Sequence, residues 1–254
     1  MDKKEIIIEL KGVHKSFGSQ HVLRGLDLAL PRDQVNVIIG RSGGGKSVLL
    51  KHIIGLLKPE QGQVFIEGQD IVPMKEKDLA KVRRKFGMLF QAAALFDSFT
   101  VAENVAFPLI EHTNKTKAEI MEIVEEKLAK VGLKGMGYKM PSELSGGMRK
   151  RVGLARALAL DPKIVLFDEP TSGLDPVMSA AINDLIVQTR DEFGATCVVI
   201  SHDIQATMAT ADEIFMLYDG KIIAHGSPEV IRELDEPVVQ QFIQGKAHGP
   251  IKVV

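Results

Sequence analysis

The chain has 254 residues, 45% hydrophobic and 26% charged, with a formal net charge of -1. That length suits one large α/β domain or two small ones, and the near-neutral charge gives no footing for general nucleic-acid or anionic-membrane binding. No segment approaches the roughly 18–20 consecutive apolar residues that cross a bilayer.

Met1-Asp2-Lys3-Lys4-Glu5 runs straight into Ile6-Ile7-Ile8 without a signal-peptide h-region. The single cysteine, Cys197, lies in an apolar run and cannot pair within the chain, so a reduced, cytosolic setting is expected. Residues 5–30 read as two strands around a turn at Phe17-Gly18-Ser19-Gln20, the second alternating through Val22, Leu23, Leu26, Leu28 and Leu30. Val35, Val37, Ile38 and Ile39 then read as a buried strand. It enters Gly40-Arg41-Ser42-Gly43-Gly44-Gly45-Lys46-Ser47, the spacing of a phosphate-binding P-loop. The glycines let the backbone curl until successive N–H groups face phosphate oxygens. Val48, Leu49, Leu50, Ile53 and Ile54 continue at helical spacing, so the loop ends on a helix N-terminus, which attracts anions. Lys46 is placed to charge-pair with β- and γ-phosphates, and Ser47 to offer its hydroxyl to Mg²⁺. The bland alternative is a glycine-rich loop before an amphipathic helix. Lysine and serine in register between strand and helix favour a nucleoside triphosphate site.

Lys58-Pro59-Glu60-Gln61-Gly62 breaks the chain before a strand at Gln63–Glu67, a charged helix over 76–85 and a short strand at Phe86–Phe90. The stretch from Ala92 to Leu160 is richer in helix. Within it Ile120, Met121, Val124, Leu128 and Val131 share one face, Gly132 stops the helix, and Glu119, Glu122, Glu125 and Glu126 read as its solvated side. Strand character returns at Ile164–Phe167 and Ala195–Ile200, with a helix between them carrying Met178, Ala181, Ile182, Leu185 and Ile186. Residues 213–225 read as a hairpin turning at Asp219-Gly220, followed by short helices at Pro228–Leu234 and Pro237–Gln244 and a loose tail. Strands alternating with helices around a P-loop imply an α/β fold with a mainly parallel sheet.

Two further motifs bear on chemistry. Ile164-Val165-Leu166-Phe167 delivers Asp168 and Glu169 to the end of a buried strand. In a P-loop protein Asp168 would hold Mg²⁺, and Glu169 is placed to take a proton from attacking water. A pair of surface acids capping a strand is the weaker reading. Leu144-Ser145-Gly146-Gly147-Met148, followed by Arg149, Lys150 and Arg151, sets Ser-Gly-Gly at a helix N-terminus. This is a second anion-binding device, without a lysine of its own.

In this order, P-loop, Leu-Ser-Gly-Gly and Asp-Glu strand closely resemble the ATP-binding cassette (ABC) ATPases over roughly residues 5–230. The resemblance implies a P-loop core of mainly parallel sheet with an N-terminal antiparallel β subdomain (residues 1–91 and 161–225). It also implies an inserted helical subdomain (92–160) and C-terminal helices and tail (226–254). Residue by residue, Phe17 matches the aromatic that stacks on adenine. Gln91 matches the Q-loop glutamine that touches Mg²⁺ and water, Ser172-Gly173-Leu174-Asp175 the D-loop, and His202 the switch histidine on the γ-phosphate. The resemblance thus assigns catalysis to Glu169, His202, Gln91 and Lys46, and Mg²⁺ to Ser47, Gln91 and Asp168. ATP would be bound by Phe17, Gly40 to Val48, Asp175 and, from a second copy of the chain, Ser145, Gly146 and Gly147. Many members have threonine where this chain has Val48; the metal-binding hydroxyl is Ser47, so catalysis should not suffer.

A single cassette without heptad runs or basic extensions favours transport over a non-transport ABC ATPase acting on nucleic acid or ribosomes. The stretch Phe90 to Leu109 suits an apolar groove for a permease's coupling helix. With Glu111-His112-Thr113 and Lys46 to Lys51 it is similar to ATPases of the Mla type, which move phospholipids between inner and outer bacterial membranes. The alternative within transport is a small-solute importer, for amino acids for example. The implied partners are a second ATPase subunit, a multi-span permease, an MCE-domain membrane-anchored protein and a STAS-domain regulator, at the cytoplasmic face of the inner membrane. Phe242 and Ile243 are candidates for contact with the neighbouring ATPase.

Overall fold

A computed structural model describes residues 5–251. Met1–Lys4, on which the signal-peptide reading partly rests, and residues 252–254 of the expected loose tail lie outside the described residues. The chain packs as two compact units. One comprises the chain up to Arg83 and from Val198 onward, the other Arg84–Cys197.

The first unit opens with β1 (Ile6–Phe17) and β2 (Gln20–Pro31), an antiparallel hairpin in which Phe17 faces Gln20 across the expected turn. β3 (Val35–Ile39) is buried at all five positions, as an unbroken apolar run requires when both faces are covered. α1 (Lys46–Ile53) follows, then β4 (Gln61–Ile66), β5 (Gln69–Asp70) and α2 (Glu76–Arg83). β4 pairs antiparallel with β1 and with β5, so one sheet has the order β2-β1-β4-β5.

The second unit begins with β6 (Phe86–Leu89), then α3 (Val101–His112) and α4 (Lys117–Lys130). Both helices start on capping boxes, Thr100 with Glu103 and Thr116 with Glu119, in which hydroxyl and carboxylate each satisfy a backbone N–H at the helix end. α5 (Gly146–Ala157), β7 (Ile164–Asp168) and α6 (Pro176–Phe193) complete it, and β6 runs parallel to β7 with Gly87 opposite Val165.

β8 (Thr196–Ser201) straddles the division and is buried throughout, Cys197 included. The chain then returns to the first unit with α7 (Ile204–Thr210), β9 (Glu213–Tyr218) and β10 (Lys221–Gly226). β3 pairs parallel with β9, and β9 turns into β10 at Asp219-Gly220 as the sequence predicts. The short helix α7 carries no sequence signal strong enough to predict it; Asp203 caps its first turn.

α8 (Pro228–Glu233) and α9 (Pro237–Ile243) end the regular structure. The tail beyond them is not loose as far as Ile251. The buried Gln241 side chain donates to the Lys246 and Ile251 carbonyls at 3.1 and 3.2 Å and accepts from the Ile251 N–H at 2.6 Å. A single amide closes a loop that a hydropathy reading cannot see.

Candidate functional site

In the first unit, β3 hands the chain to Gly40 where the backbone passes tight against β9. A Cβ on Gly40 would lie 2.4 Å from the Leu217 carbonyl oxygen, which no side chain tolerates. Gly45 starts α1 in the left-handed region at φ 97°, where glycine is favoured. Between them the loop folds on itself, the Gly44 N–H donating to the Arg41 carbonyl at 3.0 Å. Lys46 is buried, and its Nζ donates to the Gly40 and Arg41 carbonyls at 2.8 and 2.9 Å, so the ammonium lies along its own loop. Ser42, Gly43 and Ser47 are exposed, Val48 half-buried. The first turn of α1 has no acidic residue to oppose an anion. A cleft of about 300 Å³ runs beside the loop, lined by Arg41 to Gly44 with Leu217, Tyr218 and Asp219.

Phe17 ends β1, 47% exposed, with Lys15 Nζ over its ring at 5.4 Å from the centre, an accessible aromatic of the kind that can stack on a base. His202 is exposed just after β8. Its backbone is pinned on the following side: the Asp203 N–H donates to Ser201 Oγ at 3.0 Å, and Asp203 Oδ1 accepts from the Ala206 N–H at 3.0 Å. His52, on the buried side of α1, uses Nδ1 on the Val48 carbonyl at 2.7 Å and leaves Nε2 buried without a hydrogen bond. Burial lowers its pKa, the hydrogen bond to Val48 only partly offsetting it.

The second unit gathers the remaining site residues. Gln91 follows β6 and donates from Nε2 to Ser172 Oγ at 3.1 Å. Ser145 caps α5, its Oγ accepting from the Met148 N–H at 3.3 Å, and the first turn of α5 has no acidic residue. A cleft of about 450 Å³ brings Gln91, Gly146, Arg149, Lys150 and Ser172 to one place. Asp168 is the last residue of β7, and Glu169 beyond it sits in the left-handed region at φ 50°, a conformation that non-glycine residues adopt at a cost. Asp175 is committed locally: its Oδ1 accepts from the Val177 and Met178 N–H groups, both at 2.9 Å, and so begins α6.

Three structurally decisive residues give no motif signal. Lys150 donates to the Pro170 and Ser172 carbonyls at 2.6 and 2.7 Å. Arg156 donates to the carbonyls of Ala93 and Ala94, both at 2.7 Å. Those alanines have φ of 60° and 47°, at a cost of about 1–2 kcal/mol each. Burial lowers the Arg156 pKa, but a guanidinium stays charged at any working pH. The fully buried Asn104 donates to the Phe96, Phe99 and Thr100 carbonyls at 3.1, 3.2 and 3.0 Å and accepts from the Phe96 N–H at 2.8 Å. Asn104 thereby shapes the rim of an apolar groove of about 330 Å³ lined by Met88, Phe90, Ala94, Phe96, Phe107 and Pro108. Phe96 packs its ring 5.1 Å from Phe99 and 5.0 Å from Phe107, yet remains 42% exposed.

The donor types that the sequence offers at Ser47, Gln91 and Asp168 (a hydroxyl, an amide oxygen and a carboxylate) are those a hard divalent ion takes. Among the described residues no group of three or more His, Cys, Asp or Glu could cage a metal. Mg²⁺ needs none, because it keeps several waters and binds chiefly through substrate phosphates.

A P-loop opening a helix behind a buried parallel strand defines a nucleoside triphosphatase. The sequence profile described as ABC transporter matches residues 23–172. The chain is 40% identical over 96% of its length to the intermembrane phospholipid transport system ATP-binding protein MlaF of Escherichia coli K12, covering 91% of that protein. It is 48% identical over 97% of its length to the probable ribonucleotide transport ATP-binding protein mkl of Mycobacterium tuberculosis, covering 68% of it. Among solved structures, cbiO1 of Clostridium perfringens, part of the transporter complex cbiONQ, superposes with a TM-score of 0.84 at 31% identity, over 91% of this chain and 92% of that one. The dimeric post-hydrolysis state of the cassette MJ0796, bound to ADP and Pi, does so with a TM-score of 0.79 at 33% identity, over 87% and 98%. The chain belongs to the ABC transporter ATP-binding family. It binds ATP and is an ATPase, and cassettes of this family work as dimers with a separate permease. No helix among the described residues is long and apolar enough to cross a membrane.

Proposed function

We propose that this chain powers a phospholipid transporter joining the inner and outer bacterial membranes, as a homodimer at the cytoplasmic face of the inner membrane. Similarity to MlaF over nearly the whole of both chains carries this reading. The apolar groove beside Phe90, Phe96 and Phe107 supports it as the seat of a permease helix. The partners are then a multi-span permease, an MCE-domain protein and a STAS-domain regulator. A second reading, a small-solute importer, is favoured by the similarity to mkl, named as a probable ribonucleotide transport ATP-binding protein. The two readings share one ATPase cycle, since the cargo never touches this subunit.

In that cycle Phe17 stacks on adenine, and the N–H groups of Gly40 to Val48 cradle the phosphates. Lys46 neutralises the β- and γ-oxygens; Mg²⁺, when bound, would be held by Ser47, Gln91 and Asp168 and would offset charge on the phosphates. The Gln91 amide nitrogen is engaged by Ser172, so it is the oxygen that would face the metal. Glu169 orients the attacking water and takes its proton, and His202 stabilises the γ-phosphate. Ser145, Gly146 and Gly147 of the second copy read that phosphate from the far side, with Asp175 setting the start of the helix beside them. Hydrolysis removes the shared ligand and the dimer opens.

Purifying Glu169→Gln from native membranes with its bound partners tests the proposal. An MCE-domain protein with co-extracted phospholipid, identified by mass spectrometry, is the expected result. A solute-binding protein with its permease would replace it with the importer reading; ribosomes or nucleic acid would overturn the transport reading altogether.

A further inference from the structure

The three bases after the signature glycines step about 100° apart around α5, and the structure sends them to three different places. Arg149 is exposed and lines the cleft beside Gln91. Arg151 donates from Nη1 to the Val131 carbonyl at 3.2 Å. Lys150 is only 5% exposed, and its Nζ grips Pro170 O at 2.6 Å and Ser172 O at 2.7 Å. Burial lowers the Lys150 pKa, and the neighbouring charge of Glu169 works against that shift. An ammonium in such a place is expensive to desolvate, and shape alone would be met by an uncharged side chain of similar length.

What the ammonium holds is the turn directly after Glu169. The Ser172 N–H donates to the Glu169 carbonyl at 3.2 Å, and Ser172 Oγ accepts from Gln91 at 3.1 Å. Lys150 therefore fixes the first and last of the three carbonyls in the segment that leaves Glu169, a residue whose left-handed backbone a free chain would abandon.

We propose that Lys150 is a positioning residue for ATP hydrolysis: it locks the Pro170–Ser172 turn, fixes the backbone of Glu169 and so aims its carboxylate. The same side chain couples that backbone to the helix whose N-terminus carries Ser145, Gly146 and Gly147. Phosphate contact at the helix start and placement of the base become one rigid arrangement. The proposal rests on the reading of Glu169 as general base.

The test uses the full chain with Mg²⁺ and ATP. Lys150→Met keeps the apolar stem and removes the donors, and Lys150→Gln is a milder neutral variant should Met fold poorly. Rates are expressed per nucleotide-binding site, counted with a fluorescent ATP analogue, so partial misfolding does not enter. A displacement of about 1 Å at a reacting group can cost on the order of 100-fold. Lys150→Met should accordingly lose about 30- to 100-fold in kcat, with KM within about twofold of the parent. In a Glu169→Gln background it should cause no further loss, because both changes act through one carboxylate. A rate per site within about threefold of the parent, or losses that multiply in the double variant, would overturn the positioning role. Full hydrolysis by Glu169→Gln alone would instead remove the base reading beneath it.

Discussion

In the first unit the phosphate loop is contiguous, Gly40 to Ser47, and its shape comes from main-chain geometry: a Cβ excluded at Gly40, a left-handed start to α1 at Gly45, and a lysine folded along its own carbonyls. In the second, Gln91, the start of α5 and the Glu169–Asp175 segment come from three distant parts of the chain. Long side chains tie them together, with Lys150 on one loop, Arg156 on another and Gln91 on Ser172. A contiguous cradle is stable wherever its strand and helix are. A cluster of separate loops depends on individual buried donors, each a single point of failure and each a point where motion can be transmitted.

The sharpest way to separate the two regions is functional. Glu169→Gln should lower kcat by about 10²–10⁴-fold, the usual worth of a general base, while ATP binding persists. Lys46→Ala should abolish binding instead, read by the same fluorescent nucleotide titration. If Glu169→Gln lost binding as well, the division of labour between the regions would fail.

Stability comes next. Gly40→Ala forces a Cβ against the Leu217 carbonyl at 2.4 Å, an overlap that β3 and β9 can relieve only by separating. Urea unfolding should show a loss of at least about 1–3 kcal/mol. Asn104→Ala should cost about 1–3 kcal/mol by leaving the Phe96–Thr100 carbonyls and the Phe96 N–H unmatched. Hydrogen exchange should place the loosening in that loop, with the phosphate loop unchanged. Equal loosening in both would show that the loop cluster is not the weaker construction.

The smallest effect is a pH dependence seated behind the phosphate loop. The fold lowers the pKa of His52 from 6.5, so it disfavours the charged form. Below that value the unfolded chain takes up a proton that the native state resists. The contribution of His52 is thus complete above about pH 6.5 and is lost as pH falls toward its folded pKa. His52→Gln should flatten the fall in thermal midpoint between about pH 7.5 and about pH 5. A parallel pair of curves would assign the acid sensitivity to carboxylates alone.

The elements most readable in advance were those with local causes. β3 is an apolar run between breakers, the β9–β10 turn is Asp-Gly, and α4 carries one apolar face and ends before Gly132. The phosphate loop was readable for the same reason, since its own residues lie within eight positions, although the carbonyl that crowds Gly40 belongs to distant Leu217. Lys150 and Arg156 were not, because a base on a helix reads as solvated until its acceptors are known. Those acceptors are main-chain carbonyls 20 or more than 60 residues away. Asn104 likewise reads as one polar residue in an apolar helix, and Gln241 as surface.

The sequence by itself determined most of the strands, the phosphate loop, the order of the motifs and through them the family, because those follow from residue types in short register; the two-residue β5 left no such signal. Only the tertiary structure decided which side chains hold the second unit's loops, that Glu169 and the Ala93–Ala94 pair sit in left-handed backbone, and that the tail is clamped as far as Ile251. Hydrogen bonds from side chains to main-chain carbonyls carry no residue preference at the acceptor. Their partners are fixed by packing and leave no pattern in the sequence.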